Sequence, residues 1–567
     1  MKKALLAAIA AACVFQAWLA LHAPVGMFQD DALHLLLARA MRHGVFAFPN
    51  GSPAADPLPG FAFLLALPAW LVEPRWGLLR WPALAAGWVA LGLTWRLARR
   101  VLGGEEALAV TLVVAINPVF VENAGVLRPD ILFLASALGV LDLLAEARPG
   151  PAGLLAAGAA LLRPQGTLLV LGAAAALWLR RGGRTAAKFA TALLLLAAWT
   201  VRNVLVAGTA SGYVENWARR AASLRGLAGL ARHCGRLAAI LGHGFTGLRA
   251  SAWALAIIGA VLLVAAAAGA WDLSRGRREP PQPDVWGLAA AIFGALVLVL
   301  HLTWSVSDPR YAIPLLPLCW IFVFFALRRL RSGCRIASLA ITVALAVAAC
   351  PQDRVMARVR ARAPAELWPR TMAWIRSQTP GNAHIQSMFD MPVMLLTGRQ
   401  SEEPPLVRNR DSWLAHCIGR GVAYVHLDQD LQRWRTLPPE RFVVLLSLPA
   451  WARSTPYARE VFRDPEEGSA IWRIEHPDPR RFRRAWSEYG LALEELSAGA
   501  APRVVRARLE SAARLEPGLA LPWAVMGHLA EGRSEKVRCL RKALRLDPTL
   551  DVARGELRQA FLGPATR

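Results

Sequence analysis

The chain has 567 residues, of which 55% are hydrophobic and only 19% are charged, and its mean hydropathy is +0.35. This composition excludes a disordered or fibrous protein and predicts a membrane protein with an aqueous portion. The 65 basic and 40 acidic residues give a net charge of +25, but many arginines cluster between apolar runs, which favours a membrane topology over nucleic-acid binding.

Apolar runs separated by arginine groups predict about eleven transmembrane helices in residues 1–350. The predicted ranges are 4–21, 78–97, 106–120, 131–145, 153–162, 166–179, 187–206, 252–271, 286–304, 311–327 and 336–349. With the arginine groups inside, the N-terminus is cytoplasmic and residues after 350 lie outside a bacterial inner (plasma) membrane. The first run is interpreted as a retained span, although the preceding Lys2 and Lys3 also suit a cleaved signal peptide. Residues 59–72 are apolar but short, which predicts an interfacial helix on the outer leaflet.

The part after the last span predicts two further regions. Residues 351–478 predict a small extracytoplasmic α/β domain, with strands at residues 384–388, 393–397, 422–426 and 442–446. Residues 479–567 are patterned as helices, and Pro517 and Pro548 lie near the 34-residue period of tetratricopeptide repeats. This α-helical region resembles such repeats, which implies a protein partner. A lone helical hairpin is the alternative.

Two adjacent carboxylates, Asp30 and Asp31, follow the first span, where they would lie at the outer membrane surface. A general base accepts a proton from an acceptor hydroxyl, and a partly desolvated carboxylate beside a like charge has a raised pKa suited to that role. Alternatively, either residue caps a helix over residues 32–43. The acid pair alone leaves both interpretations open.

The residues that follow the acid pair form a recurring order of features. Gly44 is followed by a Phe-Pro-Asn-Gly turn at residues 48–51 and by an Asp-Pro-Leu-Pro-Gly segment at residues 56–60. This order resembles the first external loop of GT-C glycosyltransferases, in particular bacterial enzymes that use polyprenyl-phosphate sugars. The resemblance implies that one paired acid is the catalytic base, and we favour Asp30. Residues 54–57 depart from the Gly-Phe-Thr-Ser-Pro-like stretch usual in the family, which leaves the acceptor open.

A second external acidic segment lies between the third and fourth predicted spans and contains Glu122, Arg128 and Asp130. Its place matches the second acidic loop of GT-C enzymes. The match implies that Glu122 and Asp130 orient the acceptor or hold a divalent cation, Mg²⁺ or Mn²⁺. Because charges at the end of a span need solvent or a partner, an Arg128–Asp130 ion pair that ends a helix is the alternative.

Three arginines lie at outer span ends against the inside bias, namely Arg163, Arg202 and Arg310. A lipid-phosphate leaving group needs fixed positive charge, and the guanidinium fork suits phosphate geometry. The Arg-Pro hairpin at Arg163 and the Arg-Tyr pair at Arg310 both resemble donor sites of GT-C enzymes. The alternative is that these side chains extend to ordinary lipid headgroups.

Together these features predict an inverting membrane glycosyltransferase that moves a sugar from a polyprenyl phosphate to an acceptor hydroxyl on a glycan, lipid or protein. An O-antigen ligase or an oligosaccharyltransferase-like enzyme is one alternative. A non-enzymatic scaffold or transporter that recruits partners through the repeats is another. The histidines, among them His34 and His301, show no ligand spacing and are interpreted as interfacial or loop residues.

Overall fold

The computed structural model describes residues 1–562 except 27–28, 50, 73–75, 210–226, 275–284, 304–307, 330–333, 363–366 and 429–438. The chain divides into two compact units, Met1–Glu366 and Leu367–Arg567. The domain divisions predicted at residues 350 and 478 stay predictions, and one helix, Cys334–Arg362, continues through the first of them.

The first unit is helical and carries the candidate site. Its α-helices in chain order are α1 Lys2–Leu21, α2 Gln29–Arg42, α3 Pro59–Val72, α4 Arg80–Val101, α5 Gly104–Ile116, α6 Pro118–Ala124, α7 Pro129–Ala145, α8 Pro149–Leu162, α9 Gln165–Arg181, α10 Gly183–Ala190, α11 Leu193–Ala207, α12 Leu227–Thr246, α13 Ala252–Ser274, α14 Val285–Thr303, α15 Leu316–Arg329 and α16 Cys334–Arg362. Short 3₁₀ turns, Trp76–Leu79 and Pro309–Leu315, precede α4 and α15.

Length and hydropathy identify a multi-pass membrane protein. Among the described residues, six helical segments are long and apolar enough to cross a membrane, and a bent pair would make a seventh. The total of eleven spans stays a prediction. Helix α3 has the predicted bounds and exposes large apolar side chains such as Phe63 and Leu71, and its interfacial position also stays a prediction.

The bent pair is α5 and α6, which corrects the straight span predicted for residues 106–120. The two helices meet at an angle of 66° because Asn117 and Pro118 interrupt the backbone ladder. The Asn117 side chain accepts hydrogen bonds from Val119 and Phe120 and donates to the carbonyls of Gly244 and Phe245, at 2.9 to 3.2 Å. The apolar run therefore forms two helices and not one straight span.

Helix α12 was not predicted, because charged residues interrupt its apolar pattern. It packs against α13 through small residues. A Cβ atom added at Gly259 would lie 2.0 Å from the carbonyl oxygen of Ala238, and one at Gly242 would lie 2.1 Å from that of Leu255. Both positions therefore require glycine.

The second unit begins with a mixed sheet. Its elements are α17 Pro369–Gln378, β1 His384–Ser387, α18 Asp390–Thr397, β2 Gln400–Glu402, α19 Arg410–Arg420, β3 Tyr424–Asp428, α20 Pro439–Arg453, β4 Ala458–Asp464 and β5 Ser469–Ile474. The strand order is β2-β1-β3-β5-β4, with β1 parallel to β2 and β3 and with β5 antiparallel to its neighbours. This sheet with its helices confirms the predicted α/β character.

The strand predictions are half right. Those at residues 384–388 and 422–426 correspond to β1 and β3, but residues 393–397 and 442–446 lie in α18 and α20. A short apolar run fits a buried strand and a buried helix equally well, which explains both errors. Strand β4 was missed because its exposed, charged residues carry little apolar pattern.

Five helices complete the unit: α21 Pro479–Ser497, α22 Pro502–Leu515, α23 Leu521–Leu529, α24 Arg533–Leu546 and α25 Asp551–Leu562. Pro517 and Pro548, which marked the predicted repeat, follow the ends of α22 and α24. Each ends at a buried acid, Glu516 or Asp547, followed by Pro517 or Pro548. The correspondence fits a repeated unit, and the assignment to tetratricopeptide repeats stays a prediction.

Candidate active site

The acid pair opens helix α2, where the positive end of the helix dipole favours carboxylates. Asp31 is buried, and its carboxylate accepts backbone hydrogen bonds from Gly26 at 2.9 Å and Ala32 at 2.8 Å. Burial raises the pKa of Asp31 to about 7, although Arg128 and these hydrogen bonds oppose the rise. Asp31 thus ties the first turn of α2 to Gly26, but because α2 begins at Gln29 it lies inside the helix and not at the cap position before residue 32.

Asp30 faces two guanidinium groups. Its Oδ2 lies 2.5 Å from Nη1 of Arg310 and 3.7 Å from Nε of Arg128, while the side chain keeps 40% of its surface exposed. Arg310 also contacts Asp308, with Nε 3.0 Å from Oδ2. Burial acts to raise the pKa of Asp30, but Arg310 and Arg128 outweigh it and hold that pKa well below its usual range. Asp30 is thus an ionised, partly exposed carboxylate.

Asp130 and Arg163 form a second ion pair. Asp130 begins α7 and is buried, and its Oδ1 accepts from Nη1 of Arg163. Arg163 also donates from Nε to Gln165 at 3.2 Å. The other oxygen of Asp130 is buried with no hydrogen-bond partner in the described part of the chain. The pair therefore leaves one acceptor available to a ligand.

Tight packing between α8 and α9 fixes Arg163 in space. The predicted hairpin at residues 163–165 is confirmed, since α8 ends at Leu162 and α9 begins at Gln165. A Cβ added at Gly166 would lie 2.3 Å from the carbonyl oxygen of Ala159. Only glycine permits this approach, so the hairpin holds Arg163 at a defined position.

Tyr311 links the two ion pairs. Its ring centroid lies 5.5 Å from Cζ of Arg163 and 5.4 Å from Cζ of Arg310. The structure thus brings together groups that are far apart in sequence. We call this set the acid–arginine cluster, and it consists of Asp30, Arg128, Asp130, Arg163, Arg310 and Tyr311.

Two predicted site residues lie apart from this cluster. Arg202 donates to the carbonyls of Ala54 at 2.6 Å and Phe46 at 2.9 Å, so it holds the first external loop in place. Glu122 lies on α6 with a half-buried side chain. Among the hydrogen bonds and ion pairs of the described residues, none includes Glu122. Neither residue is in contact with the acid–arginine cluster.

The positions of Arg128 and His34 next to the acid pair were not predicted from the sequence. Arg128 was considered only as a partner of Asp130, whereas it faces Asp30 from the turn before α7. His34 is buried one turn along α2 from the acid pair, and its ring stands edge-on to Phe61 at 5.0 Å. Burial lowers the pKa of His34 to about 4, which leaves the imidazole neutral at neutral pH. The helical spacing of Asp30, Asp31 and His34 was a usable signal.

The predicted divalent cation finds no ready site in this arrangement. Among the described residues, no three His, Cys, Asp or Glu side chains converge as a metal would require. Asp30 and Asp130 are each paired with arginine, and Asp31 is bound to backbone amides. The acids present therefore do not fit Mg²⁺ or Mn²⁺, and the chemistry considered below uses none.

Comparisons with known proteins identify similar folds. No family model matches the sequence, and no curated protein matches it significantly. ArnT from Cupriavidus metallidurans bound to undecaprenyl phosphate is similar in structure with a TM-score of 0.52 and 14% identity, over 84% of this chain and all of that one. The oligosaccharyltransferase from Archaeoglobus fulgidus tethered to an acceptor peptide gives 0.50 and 14% identity, over 83% of this chain and 74% of that one. At this identity the similarity concerns the fold.

Proposed function

We propose that this chain, a multi-pass membrane protein with the GT-C fold, is a glycosyltransferase that uses a polyprenyl-phosphate-linked sugar. The observation that carries the proposal is the acid–arginine cluster, in which a partly exposed carboxylate lies beside several guanidinium groups. The similarity to a protein crystallised with undecaprenyl phosphate supports the lipid carrier. The acceptor is a hydroxyl of a glycan, lipid or protein.

Charge development at the donor explains the arginines. A sugar linked to a polyprenyl phosphate carries one negative charge, and breaking the glycosidic bond leaves a phosphate with a second one. Fixed cations placed beforehand stabilise that charge in the transition state. Arg310 and Arg163 flank Tyr311 with their Cζ atoms 5.4 and 5.5 Å from its ring, so both can reach one phosphate. Arg128 adds a third guanidinium beside Asp30.

Asp30 is the better candidate for the general base. Of the two acids it has the exposed carboxylate, while both oxygens of Asp31 accept backbone hydrogen bonds. When donor phosphate takes Arg310, Asp30 loses its main cationic partner and its pKa rises towards its ordinary value. It then accepts the proton of the acceptor hydroxyl, whose oxygen attacks the anomeric carbon as the phosphate departs. This displacement inverts the anomeric centre.

The first external loop and the outer arginines support an extracytoplasmic reaction at a bacterial inner membrane. A lipid-linked donor suits that side, where nucleotide sugars are unavailable. Glu122 and Asp130 are proposed to orient the acceptor, and the free oxygen of Asp130 provides an acceptor for its hydroxyl. In this proposal Arg202 supports the site indirectly through the loop it holds.

Replacement of Asp30 tests the proposal directly. Asp30→Asn keeps the shape of the side chain but removes the proton acceptor, so we expect sugar transfer to fall about a thousandfold. The purified variant is reconstituted into lipid membranes together with a radiolabelled polyprenyl-phosphate sugar. The measured quantity is the rate at which the label is transferred to an acceptor. Asp308→Asn is the matched control, because Asp308 also contacts Arg310 but is not the proposed base. Unchanged transfer by Asp30→Asn contradicts the mechanism.

An oligosaccharyltransferase-like activity is the second candidate, supported by the fold shared with the archaeal enzyme. The same membranes separate the two functions when they are supplied with either a glycan acceptor or a peptide acceptor. Label on the peptide alone would favour the second candidate. A scaffold or transporter would label neither.

A further inference from the structure

A basic groove lies in the second unit, between helices α22, α23 and α24. It is open to solvent and has a volume of about 530 Å³. Its rim consists of five cationic side chains, Arg506, Arg514, Arg538, Lys542 and Arg545, with Glu510 as the single acid in the lining. Such an excess of one charge in a concave surface attracts ligands of the opposite charge.

The floor of the groove is apolar apart from one donor. Ala513, Met526 and Cys539 are buried there. The indole Nε1 of Trp523 is also buried and has no hydrogen-bond partner among the described residues. An indole N–H only donates, as do arginine and lysine side chains. The groove therefore offers donors and apolar surface, which suits a ligand with acceptor groups and an apolar side chain.

The cationic side chains of the groove differ in the ion pairs that they make with carboxylates. Arg506 pairs with Glu510 and Glu535, and Arg538 lies 3.8 Å from Glu535. Lys542 and Arg545, on successive turns of α24, make no ion pair within the described chain. Because no carboxylate of the described residues pairs with them, these two positive charges are the natural contacts for an anionic ligand.

The size of the groove favours a peptide. From Arg506 to Arg514, α22 rises about 12 Å, which an extended chain covers with about four residues. We propose that this groove binds an acidic peptide segment of a partner protein, with carboxylates on Lys542 and Arg545 and an apolar side chain on the floor. A neutral glycan would find few acceptors for its many hydroxyl hydrogens, because Glu510 is the single carboxylate in the lining. The proposal rests on the second unit alone and is independent of the transfer reaction.

Binding of a defined peptide tests the groove. The probe is fluorescein-labelled Asp-Glu-Leu-Glu-Asp, measured by fluorescence anisotropy with the full-length protein in nanodiscs of neutral phosphatidylcholine. We expect saturable binding that weakens as salt rises. The matched probe Asn-Gln-Leu-Gln-Asn should bind at least about tenfold more weakly. Equal binding of the two peptides overturns the proposal.

Charge reversal locates the site. The double variant Lys542→Glu and Arg545→Glu should lose at least about tenfold in affinity for the acidic peptide. The control is Arg533→Glu with Arg541→Glu, which changes the net charge equally on the same helix but outside the groove, since Arg533 and Arg541 contact Phe561. An equal loss in both double variants overturns the site. The neutral pair Lys542→Gln and Arg545→Gln should give an intermediate loss.

Competition separates the peptide from other anions. Unlabelled acidic peptide should displace the probe at lower concentration than polygalacturonate or vesicles of phosphatidylglycerol. Stronger displacement by polygalacturonate would assign the groove to an acidic glycan, and stronger displacement by the vesicles would assign it to a lipid surface. Either result overturns the proposal.

Discussion

Arginine and aspartate are paired in both units, but in opposite ways. In the second unit, Arg410 and Asp411 are almost fully buried, and Arg410 also donates to the carbonyls of Ser454, Gly518 and Leu546. In the membrane unit, Asp30 remains 40% exposed. A buried pair whose groups are all satisfied holds a fold together, whereas a pair left open to solvent is available for chemistry.

The Arg410–Asp411 pair gives the largest expected effect on stability. Asp411 accepts from the amides of Ala520 at 2.6 Å and Leu521 at 2.8 Å, so Asp411→Ala leaves a buried guanidinium without its counter-ion and two amides without their acceptor. We expect the second unit to lose about 3–5 kcal/mol in free energy of unfolding. The measurement is hydrogen–deuterium exchange of the amides of α19 in the full-length protein.

A surface pair provides the control for Asp411→Ala. Asp551 pairs with Arg554 at 2.8 Å, but its side chain is 87% exposed, so Asp551→Ala should change exchange very little. If both substitutions accelerate exchange to the same extent, then burial and a full set of hydrogen-bond partners do not identify the ion pairs that stabilise the fold.

Arg310 tests the other side of the comparison. Arg310→Gln should lower the rate of sugar transfer about a hundredfold, because it removes one fixed cation from the departing phosphate. The fold should lose less stability than with Asp411→Ala, since Asp30 is partly exposed and keeps Arg128 as a cationic partner. The measurement is transfer of labelled sugar, with kcat and KM for the donor determined separately.

Arg202→Gln is the matched control for Arg310→Gln. Arg202 holds the carbonyls of Phe46 and Ala54, so its loss should loosen the first external loop and slow transfer only a few fold. A loss as large as that of Arg310→Gln would restore Arg202 to the donor site predicted from the sequence.

The three outer arginines, Arg163, Arg202 and Arg310, also show how far the sequence can predict site residues. Arg163 and Arg310 were predicted as site residues because arginine at an outer span end breaks the charge bias, and the fold brings both to Tyr311. Arg202 carries the same local signal. Its contacts with Phe46 and Ala54 join residues about 150 positions apart. No local pattern encodes such a pairing, so the sequence set Arg202 apart only because it lacks a donor-site resemblance and could not show which groups it contacts.

The fold shows the same division between local and long-range information. The Arg-Pro hairpin and the bounds of α3 follow from nearby residues and were predicted correctly. The bend at Asn117 also has a local signal, the Asn-Pro pair, which the apolar pattern obscured. By contrast, residues 393–397 and 442–446 are helical because of the elements they pack against, and a short apolar run does not reveal its neighbours.

Asp31 shares features of both kinds of acid. It is buried and hydrogen-bonded like the structural acid Asp411, yet it is adjacent to the exposed acid Asp30. Its folded pKa of about 7 exceeds the ordinary value, so the folded state binds more protons and the contribution of Asp31 to stability falls as pH rises from about 4 to 7. His34 acts in the opposite direction, because its pKa of about 4 lies below the ordinary value and its contribution to stability rises over the same range. The effect of Asp31 is therefore measured as a difference between two proteins. We expect the unfolding temperature of the wild type to fall relative to that of Asp31→Asn as pH rises from about 4 to 7. A difference that stays constant with pH would mean that Asp31 does not titrate in this range.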